Sequence, residues 1–466
     1  MKKKTKIVAT IGPASWDKKI LERMIMNGMN VARINASFAD KAELKRVSNR
    51  IRKLSNKVAV MMDTKGHKIR VSDFKNNKKL KQGSKFNLYT KPTKKGVYLV
   101  TEVDIDLHKQ IPKETVVLID DGLLKLEVVD KKKNKLVCKV IQGGILKRSK
   151  TVNVPGVHID FPELSKKDYN DVLTAKKLGF DYIAASFVRN VRDIAAINKL
   201  IGKSKTKLIA KIEDMEGVSN FDDILDVVDG IMIARGDLGV EIKAEKVPVL
   251  QKEFIQKCNK IGKPVIVATQ MLQSMTENIT PTRAEVNDVA NAILDGTDAV
   301  MLSAESSTGK YPVEAVTTMT RVASEVERSI EPIDRTHSPL AKPTTNAIAK
   351  AVIDSCEVLP IDKILVATAS GTTAKTIARF RPKQPVYAFT KDKFSKCQLA
   401  LSRGIEADIM EESSSTRDTG VQSLVKTAKK KEYVSDSDLV IVVAGANIMG
   451  QGETNMIEIN RVEEII

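Results

Sequence analysis

Lys207-Leu208-Ile209-Ala210-Lys211-Ile212-Glu213 and, further on, Gly230-Ile231-Met232-Ile233-Ala234-Arg235-Gly236-Asp237-Leu238-Gly239 decide the fold of this chain. Each begins as a short apolar run rich in β-branched residues and ends abruptly in charge. A buried strand that finishes in Lys, Glu or Asp places those groups at a sheet edge, where they can converge. Two carboxylates on successive parallel strands, Glu213 and Asp237, suit a hard divalent cation such as Mg2+. Lys211 adds a positive charge that such a cation does not need. The trio points to an anionic substrate held by metal and lysine together.

The same signature recurs at Lys6–Ile11, Val31–Ser37, Val58–Thr64, Tyr182–Phe187, Pro264–Gln270 and Ala299–Glu305, making eight runs in all. Most are followed by helical spacing, as in Asp17–Asn27, Ala39–Leu54, Ser165–Leu178 and Pro312–Ile330. Alternating strands and helices imply right-handed βαβ units and a parallel sheet. Eight of them predict a closed (β/α)8 barrel, whose active site belongs at the C-terminal ends of the strands. Those ends carry Arg33, Asn35, Ser37, Asp63, Thr64, Lys65, Lys211, Glu213, Asp237, Thr269, Gln270 and Glu305. Strand ends are often polar because they are wet, but so many groups suited to phosphate and metal argue for a site.

At 466 residues the chain has room for about three domains of ~100–200 residues. Cys138, Cys258, Cys356 and Cys397 are far apart with no CxxC pair, which argues against disulfides or zinc and for a reducing cytoplasm. The start, Met1-Lys2-Lys3-Lys4, resembles the basic part of a signal peptide, but the apolar run after it is short and is broken by Gly12 and Pro13. No run approaches the roughly 18 apolar residues of a membrane span. The net charge of +19 invites a nucleic-acid reading, yet the lysines are dispersed and aromatics are only 4%, so stacking platforms are scarce. A solvated lysine surface fits better, with a basic cleft for phosphorylated substrates sharing part of the charge.

Residues 1–71 read as the first part of the barrel. From Ser72 to Val152 the pattern changes to apolar/polar alternation, as in Lys85–Tyr89, Thr115–Ile119, Leu123–Val129 and Lys135–Ile141, separated by turn signals such as Asp120-Asp121-Gly122. This predicts an antiparallel β domain inserted in a βα loop. Rooted at the active-site face, it is placed to act as a lid. The barrel resumes over 153–340, and 335–345, rich in Pro, Ser and Thr, marks a boundary. The segment 341–466 reads as an α/β domain: helix Asn346–Val358, strand Lys363–Ala367, helix Thr373–Phe380, strand Pro385–Phe389, helix Phe394–Leu401, and apolar segments at Asp438–Ala444 and Met456–Val462. Its Thr368, Ser370, Gly371, Thr372 and Thr373 form a small-hydroxyl loop between strand and helix. Such a loop suits phosphate through backbone amides, or serves simply as a turn.

Several segments together carry a family resemblance. They are Thr5–Ser15 (TKIVATIGPAS), Gly28–Arg33 (GMNVAR), Asp63–Gly66 (DTKG), Lys211-Ile212-Glu213, Ala234–Gly239 (ARGDLG), Ala268–Met271 (ATQM), Pro281–Glu285 (PTRAE) and Asp288–Ala292 (DVANA). In this order and at barrel spacing, the chain resembles the pyruvate kinases along its whole length. The resemblance implies a barrel with an inserted β lid and a C-terminal α/β effector domain. It implies transfer of a phosphoryl group from phosphoenolpyruvate to ADP, giving pyruvate and ATP.

By that resemblance Glu213 and Asp237 hold Mg2+, with Mn2+ able to take its place. Lys211 stabilises charge on the phosphoryl group and the enolate. Amides at Gly236 and Asp237 hold the substrate carboxylate, Thr269 contacts it near the face that is protonated, and Arg33 touches the phosphate. Asn35, Ser37, Asp63 and Thr64 match a potassium site. Pro13, Asn35, Asp121 and Lys150 match nucleotide-side positions, although Pro13 and Asp121 also suit plain turns. The effector region takes a sugar phosphate or nucleotide in the family, and a homotetramer is expected. His67, His108, His158 and His337 read as incidental. The extra terminal domains of some members are expected to be absent.

Departures from the family pattern matter. Phe38-Ala39 follow Ser37 where His-Gly is usual, removing a polar group from the nucleotide side. His67-Lys68 replace Pro-Glu after Gly66, and Thr151 follows Lys150 where Gly is common. Lys68 lies close in sequence to the potassium ligands, and an ammonium group is itself a monovalent cation, so K+ dependence and its replacement by Lys68 both stand open. A Mg2+-dependent lyase or aldolase acting on pyruvate enolates is a competing reading, distinguished by ADP-dependent pyruvate release. A basic binding protein that retains the fold is another, distinguished by salt-steep nucleic-acid binding without turnover.

Overall fold

The apolar runs fold as eight parallel strands: β1 Lys6–Thr10, β2 Val31–Asn35, β3 Ala59–Asp63, β4 Tyr182–Ala185, β5 Lys207–Ile212, β6 Gly230–Ala234, β7 Val265–Ala268 and β8 Ala299–Leu302. In the computed structural model, which describes residues 3–330, 343–410, 417–445 and 454–466, they close into a barrel in the order β1-β8-β7-β6-β5-β4-β3-β2. Alternate residues along each strand separate into two cores. Val8, Val31, Met61, Ile209, Met232 and Ile266 cluster together in the interior. Their sequence neighbours Ile7, Ala32, Met62, Ala210, Ile231 and Val265 join the layer shared with the surrounding helices. Burial on both faces is why the runs read as continuously apolar.

The helices Lys18–Met26, Lys41–Leu54 and Lys166–Leu178 start behind Asp17, Asp40 and Ser165, whose side chains accept from amides of the first turn. Such caps contribute about 1 kcal/mol each. The strands stop one to three residues before the runs read from sequence. The trailing polar residues have left the sheet: Asp237 lies in a short helix, Arg235–Glu241, and Glu305 in another, Ala304–Ser307. Glu213, Asp237 and Glu305 therefore stand just beyond the strand ends, while Arg33, Asp63 and Lys211 remain within the last residues of their strands.

The insertion after β3 is an antiparallel sheet whose strands lie in the order Lys85–Tyr89, Lys135–Gln142, Leu124–Lys132, Val116–Ile119, Thr151–Asn153, Ile69–Val71 and Leu99–Val100. It begins at Ile69, earlier than the alternation suggests, because Ile69 and Arg70 pair with Val152 and Thr151. The chain enters the insertion through Gly66 at φ +65°, where a Cβ would come within 2.7 Å of the Phe187 ring. Only glycine fits that crossing.

Residues 343–466 build a five-stranded sheet ordered Ile405–Ile409, Val386–Thr390, Lys363–Ala367, Leu439–Gly445 and Thr454–Arg461, the last strand antiparallel. Ile405–Ile409 and the helix Arg417–Lys430 are elements absent from the sequence reading. The boundary near 340 and His337 lie outside the described residues. This domain closes the N-terminal end of the barrel: Cys397 and Leu401 join the interior cluster, and Tyr182 donates its hydroxyl to the Gln398 carbonyl at 2.5 Å. The opposite end is left to the insertion. All four cysteines are free thiols. Among the described residues no helix is long and apolar enough to cross a membrane.

Candidate functional site

A buried charged cluster stands at the ends of β2, β3 and β5. Arg33 is only 7% exposed and donates from Nε to Asp63 Oδ2 at 2.7 Å and from Nη1 to Thr10 Oγ1 at 2.8 Å. Asp63 Oδ1 accepts from Lys211 Nζ at 2.9 Å. Lys211 Nζ also donates to Ser186 Oγ at 2.7 Å and lies 3.1 Å from Glu213 Oε1. Glu213 Oε2 accepts from the Phe187 amide at 2.7 Å. The barrel brings these residues together from distant parts of the sequence through the parallel pairings β2–β3, β3–β4 and β4–β5.

The electrostatics assign states to these groups. Burial pushes the Lys211 ammonium down, but the Asp63 and Glu213 carboxylates outweigh it and hold its pKa above the ordinary value. Burial pushes Asp63 up, yet Arg33 and Lys211 hold it below the usual carboxylate range. Glu213 is raised: burial drives it up, Lys211 opposes, and the negative charge of Asp237 adds to the rise. Lys211 and Asp63 are thus firmly ionised at neutral pH. Glu213 and Asp237 still repel one another despite the Lys211 and Lys68 ammonium groups beside them, so a divalent cation there would relieve both burial and repulsion. These hard oxygen donors suit such an ion, although among the described residues no set of three or more His, Cys, Asp or Glu side chains gathers for a metal.

Asp237 sits in the first turn of Arg235–Glu241, and the Gly236 amide donates to Thr269 Oγ1 at 2.7 Å. Thr269 has φ +70° and Gln270 φ +53°. A β-branched residue there is under backbone strain of about 1–3 kcal/mol, a feature that gathers at functional sites. Arg235 fixes the turn from beneath, with a forked pair to Asp288 (2.7 Å to each oxygen) and a bond to the Thr269 carbonyl at 2.8 Å.

Lys68, from the outgoing limb of the insertion, places Nζ 3.0 Å from Asp237 Oδ1 and 4.9 Å from the centre of the Phe187 ring. Its ion pair is therefore with a candidate metal ligand and not with the four potassium candidates. Among those four, Asn35 Oδ1 accepts from the Ser37 amide at 3.0 Å, and Thr64 Oγ1 accepts from the Ser186 amide at 2.9 Å.

A cleft of about 1080 Å3 between insertion and barrel is lined by Asp121, Lys150, Lys68, Gly236, Asp237 and Gln270 among others. Lys150 pairs with Asp120 at 2.8 Å, while Asp121, at φ +53°, accepts from Thr151 Oγ1 at 3.2 Å. Pro13 opens a three-residue turn beyond β1 and does not line this cleft. Phe38 is 88% exposed. Glu305 stays apart from the cluster and accepts from the Leu272 and Ser303 amides. His67 stacks on Phe161 at 4.9 Å, His158 pairs with Glu216 at 2.7 Å, and His108 Nε2 lies 3.0 Å from the Lys132 carbonyl.

In the C-terminal loop the Gly371 amide donates to Thr368 Oγ1 at 3.0 Å, the Ser370 and Thr372 hydroxyls lie 2.9 Å apart, and Thr373 bonds Thr454 at 2.6 Å. Gly371 has φ +81° and a Cβ would meet Leu399 at 2.9 Å, so backbone geometry alone requires glycine there.

Ser186 is the residue that sequence reasoning passed over. Its signal was present, as the first polar residue after the apolar end of β4. Its hydroxyl accepts from Lys211 and donates to the Thr64 carbonyl at 2.7 Å.

Comparison with known proteins agrees along the chain. A family model described as the pyruvate kinase barrel domain matches residues 2–316, and one described as the pyruvate kinase alpha/beta domain matches 346–460. The pyruvate kinase of Geobacillus stearothermophilus is 42% identical over 483 aligned residues, covering 100% of this chain and 81% of the relative. That of Clostridium acetobutylicum is 41% identical over 472, covering 99% and 100%. A crystal structure of a pyruvate kinase from Cryptosporidium parvum superposes with a TM-score of 0.90 at 35% identity, covering 99% of this chain and 96% of that one.

Proposed function

From the premise that this chain belongs to the pyruvate kinase family, we propose how its own residues perform the family's reaction. The protein is a phosphotransferase of glycolysis: it passes the phosphoryl group of phosphoenolpyruvate to ADP, giving pyruvate and ATP, with a divalent metal. The observation that carries the residue assignment is the Asp63–Lys211–Glu213 chain of contacts, 2.9 and 3.1 Å long, buried beside Asp237.

Lys211 is the centre of the mechanism. Its ammonium, held charged by Asp63 and Glu213, faces the negative charge that spreads over the transferring phosphoryl oxygens and then over the enolate oxygen. A fixed cation in a site shielded from water stabilises developing charge without reorganising at the moment of reaction. Arg33, braced by Asp63 and Thr10, presents its remaining guanidinium donors to the phosphate. Glu213 and Asp237 would hold the metal, Mg2+ or Mn2+, which would supply Lewis-acid neutralisation of substrate oxygens. The Asp237 amide, and the Gly236 amide on exchanging its bond to Thr269 Oγ1, receive the substrate carboxylate at the start of their helix. Thr269, held strained against Gly236, sits beside the enolate carbon that gains a proton.

The insertion, read as 72–152 with its sheet extending to Ile69 and Asn153, acts as a lid that carries Lys150 and Asp121 to the nucleotide phosphates and excludes water. Asn35, Ser37, Asp63 and Thr64 offer small oxygen ligands for K+. Lys68 supplies an alternative monovalent charge, delivered at Asp237, and we favour it. The C-terminal domain, from about 341, assembles the chain as a homotetramer and takes a phosphorylated effector at Thr368–Thr373. The enzyme works in the cytoplasm.

A coupled assay following pyruvate from phosphoenolpyruvate and ADP, run with and without Mg2+ and K+, tests the reading. Turnover that needs both substrates and the divalent ion supports it. Pyruvate release without ADP would favour the lyase reading instead.

A further inference from the structure

Besides the Lys68–Asp237 pair, a contact away from the catalytic cluster joins the lid to the helix that carries Gly236 and Asp237. Asn153, at the end of the last lid strand, donates from Nδ2 to Glu241 Oε1 at 2.7 Å. Glu241 is the last residue of Arg235–Glu241, one helical turn from Asp237. The helix is only seven residues long, so a pull at one end is felt at the other. We propose that Glu241 is a positioning residue: through Asn153 it couples closure of the lid to the placement of Gly236 and Asp237, and that coupling takes up a proton.

The surroundings of Glu241 explain the proton. Asp237 on its own helix and Asp214 on the loop after β5 both act on it as like charges. Lys68 and His67 on the lid's outgoing limb, His158 on the returning limb, and Glu216 and Arg189 on the barrel loops line the same cavity of about 420 Å3. No ion pair with Glu241 forms among the described residues; its partner is the neutral Asn153 amide. Burial, with Asp214 and Asp237 adding to it and the Asn153 bond opposing, pushes the Glu241 carboxyl up to about 7. The His158–Glu216 pair at 2.7 Å is a second lid-to-barrel contact on this limb. Arg189 fixes the base of the limb by donating to the Ile159 and Phe161 carbonyls. The limb is thus anchored below and latched above.

The sign follows from linkage. With the lid open, Asn153 withdrawn and water admitted, the Glu241 carboxyl relaxes toward the ordinary value of about 4.3. The closed state therefore binds the proton more tightly than the open state. Closure is favoured up to tenfold for each pH unit lost between about 7 and 4.3, and is independent of pH above that window. A glutamine at 241 keeps the oxygen that accepts from Asn153 and mimics the protonated acid at every pH.

This inference rests on the lid reading under Proposed function, and its test is separable from that reading. Steady-state kinetics on the full-length enzyme, wild type and Glu241→Gln, would be measured from pH 6 to 8.5 with ADP varied at saturating phosphoenolpyruvate and metal. At pH 8 the KM for ADP should be three- to tenfold lower in Glu241→Gln, and the two enzymes should converge as the pH falls to 6. Asn153→Ala, which removes the latch donor, should raise the ADP KM about tenfold and flatten the pH-dependent difference between Glu and Gln at 241 when the changes are combined. Thermal melting of each variant separates loss of fold from loss of coupling. A wild type without phosphoenolpyruvate:ADP turnover would overturn the parent reading. An active wild type whose KM ratio to Glu241→Gln stays constant across this range would overturn the coupling alone.

Discussion

Lys211→Met is the substitution on which the proposed mechanism bears hardest. The side chain keeps its apolar length, so packing around β5 survives, but three contacts vanish: to Asp63 at 2.9 Å, Ser186 at 2.7 Å and Glu213 at 3.1 Å. Asp63 retains Arg33 at 2.7 Å. Glu213 does not retain a paired cation. Already raised by burial and by Asp237, it loses the opposing Lys211 charge 3.1 Å away and is driven further toward its protonated form. Leaving one partner of a buried pair uncompensated costs about 3–5 kcal/mol, and neutralising Glu213 recovers part of this. The fold should therefore survive with a lowered melting temperature. Catalysis loses a preorganised charge aimed at the transition state, worth about 10²–10³ in kcat for one such group. Weakened metal binding at the protonated Glu213 adds to this, so the total loss should be at least ~10³. The coupled assay at saturating substrates and metal measures it directly. A folded Lys211→Met enzyme whose kcat lies within tenfold of wild type would remove Lys211 from the mechanism.

Glu213→Ala and Asp237→Ala should each shift the Mg2+ activation curve to higher concentration and lower kcat together, because a metal held by few protein oxygens cannot spare one; unchanged titration curves would place the metal elsewhere. Wild type should turn over with a bulky organic ammonium as the only monovalent cation, and Lys68→Glu should create a need for K+. A wild type that is inactive without K+ would refute that role for Lys68. Asp63→Asn should lower the melting temperature at pH 7. Asp63's folded pKa is depressed by Arg33 and Lys211, so its stabilising contribution is complete above the unfolded value of about 3.9. The deficit of the variant should shrink only as the pH falls below that value, and a deficit that grows on acidification would contradict the assignment.

Much of this was legible because the barrel writes itself into sequence. Each strand is buried on two faces and ends where polar backbone turns into the mouth, so Ile212-Glu213 and Ala234–Asp237 announce both the element and the site. What the runs could not show is where the strand stops, since Asp237 and Glu305 lie only three residues beyond the last strand residues Ala234 and Leu302 yet belong to helices. Ile405–Ile409 was illegible for the opposite reason. Glu406 and Asp408 interrupt its pattern, and they are accommodated by partners from elsewhere in the fold, among them Lys57 at 3.3 Å from Glu406 and Lys396 at 3.1 Å from Asp408. The Lys68–Asp237 and Asn153–Glu241 contacts depend on the lid folding back across the barrel mouth, which no local pattern encodes. Sequence nearness suggested that Lys68 serves the potassium ligands, whereas its side chain crosses to Asp237.

The central claim is that this chain moves a phosphoryl group from phosphoenolpyruvate to ADP through the Lys211–Glu213–Asp237 site. Phosphorus NMR of the purified protein with both substrates tests it in one experiment. With Mg2+ present, the phosphoenolpyruvate signal should fall as the γ-phosphate signal of ATP rises one for one, and neither should change when the ion is chelated or when Lys211→Met replaces wild type. Accumulation of inorganic phosphate in place of ATP, or full turnover by the Lys211→Met protein, would contradict the account.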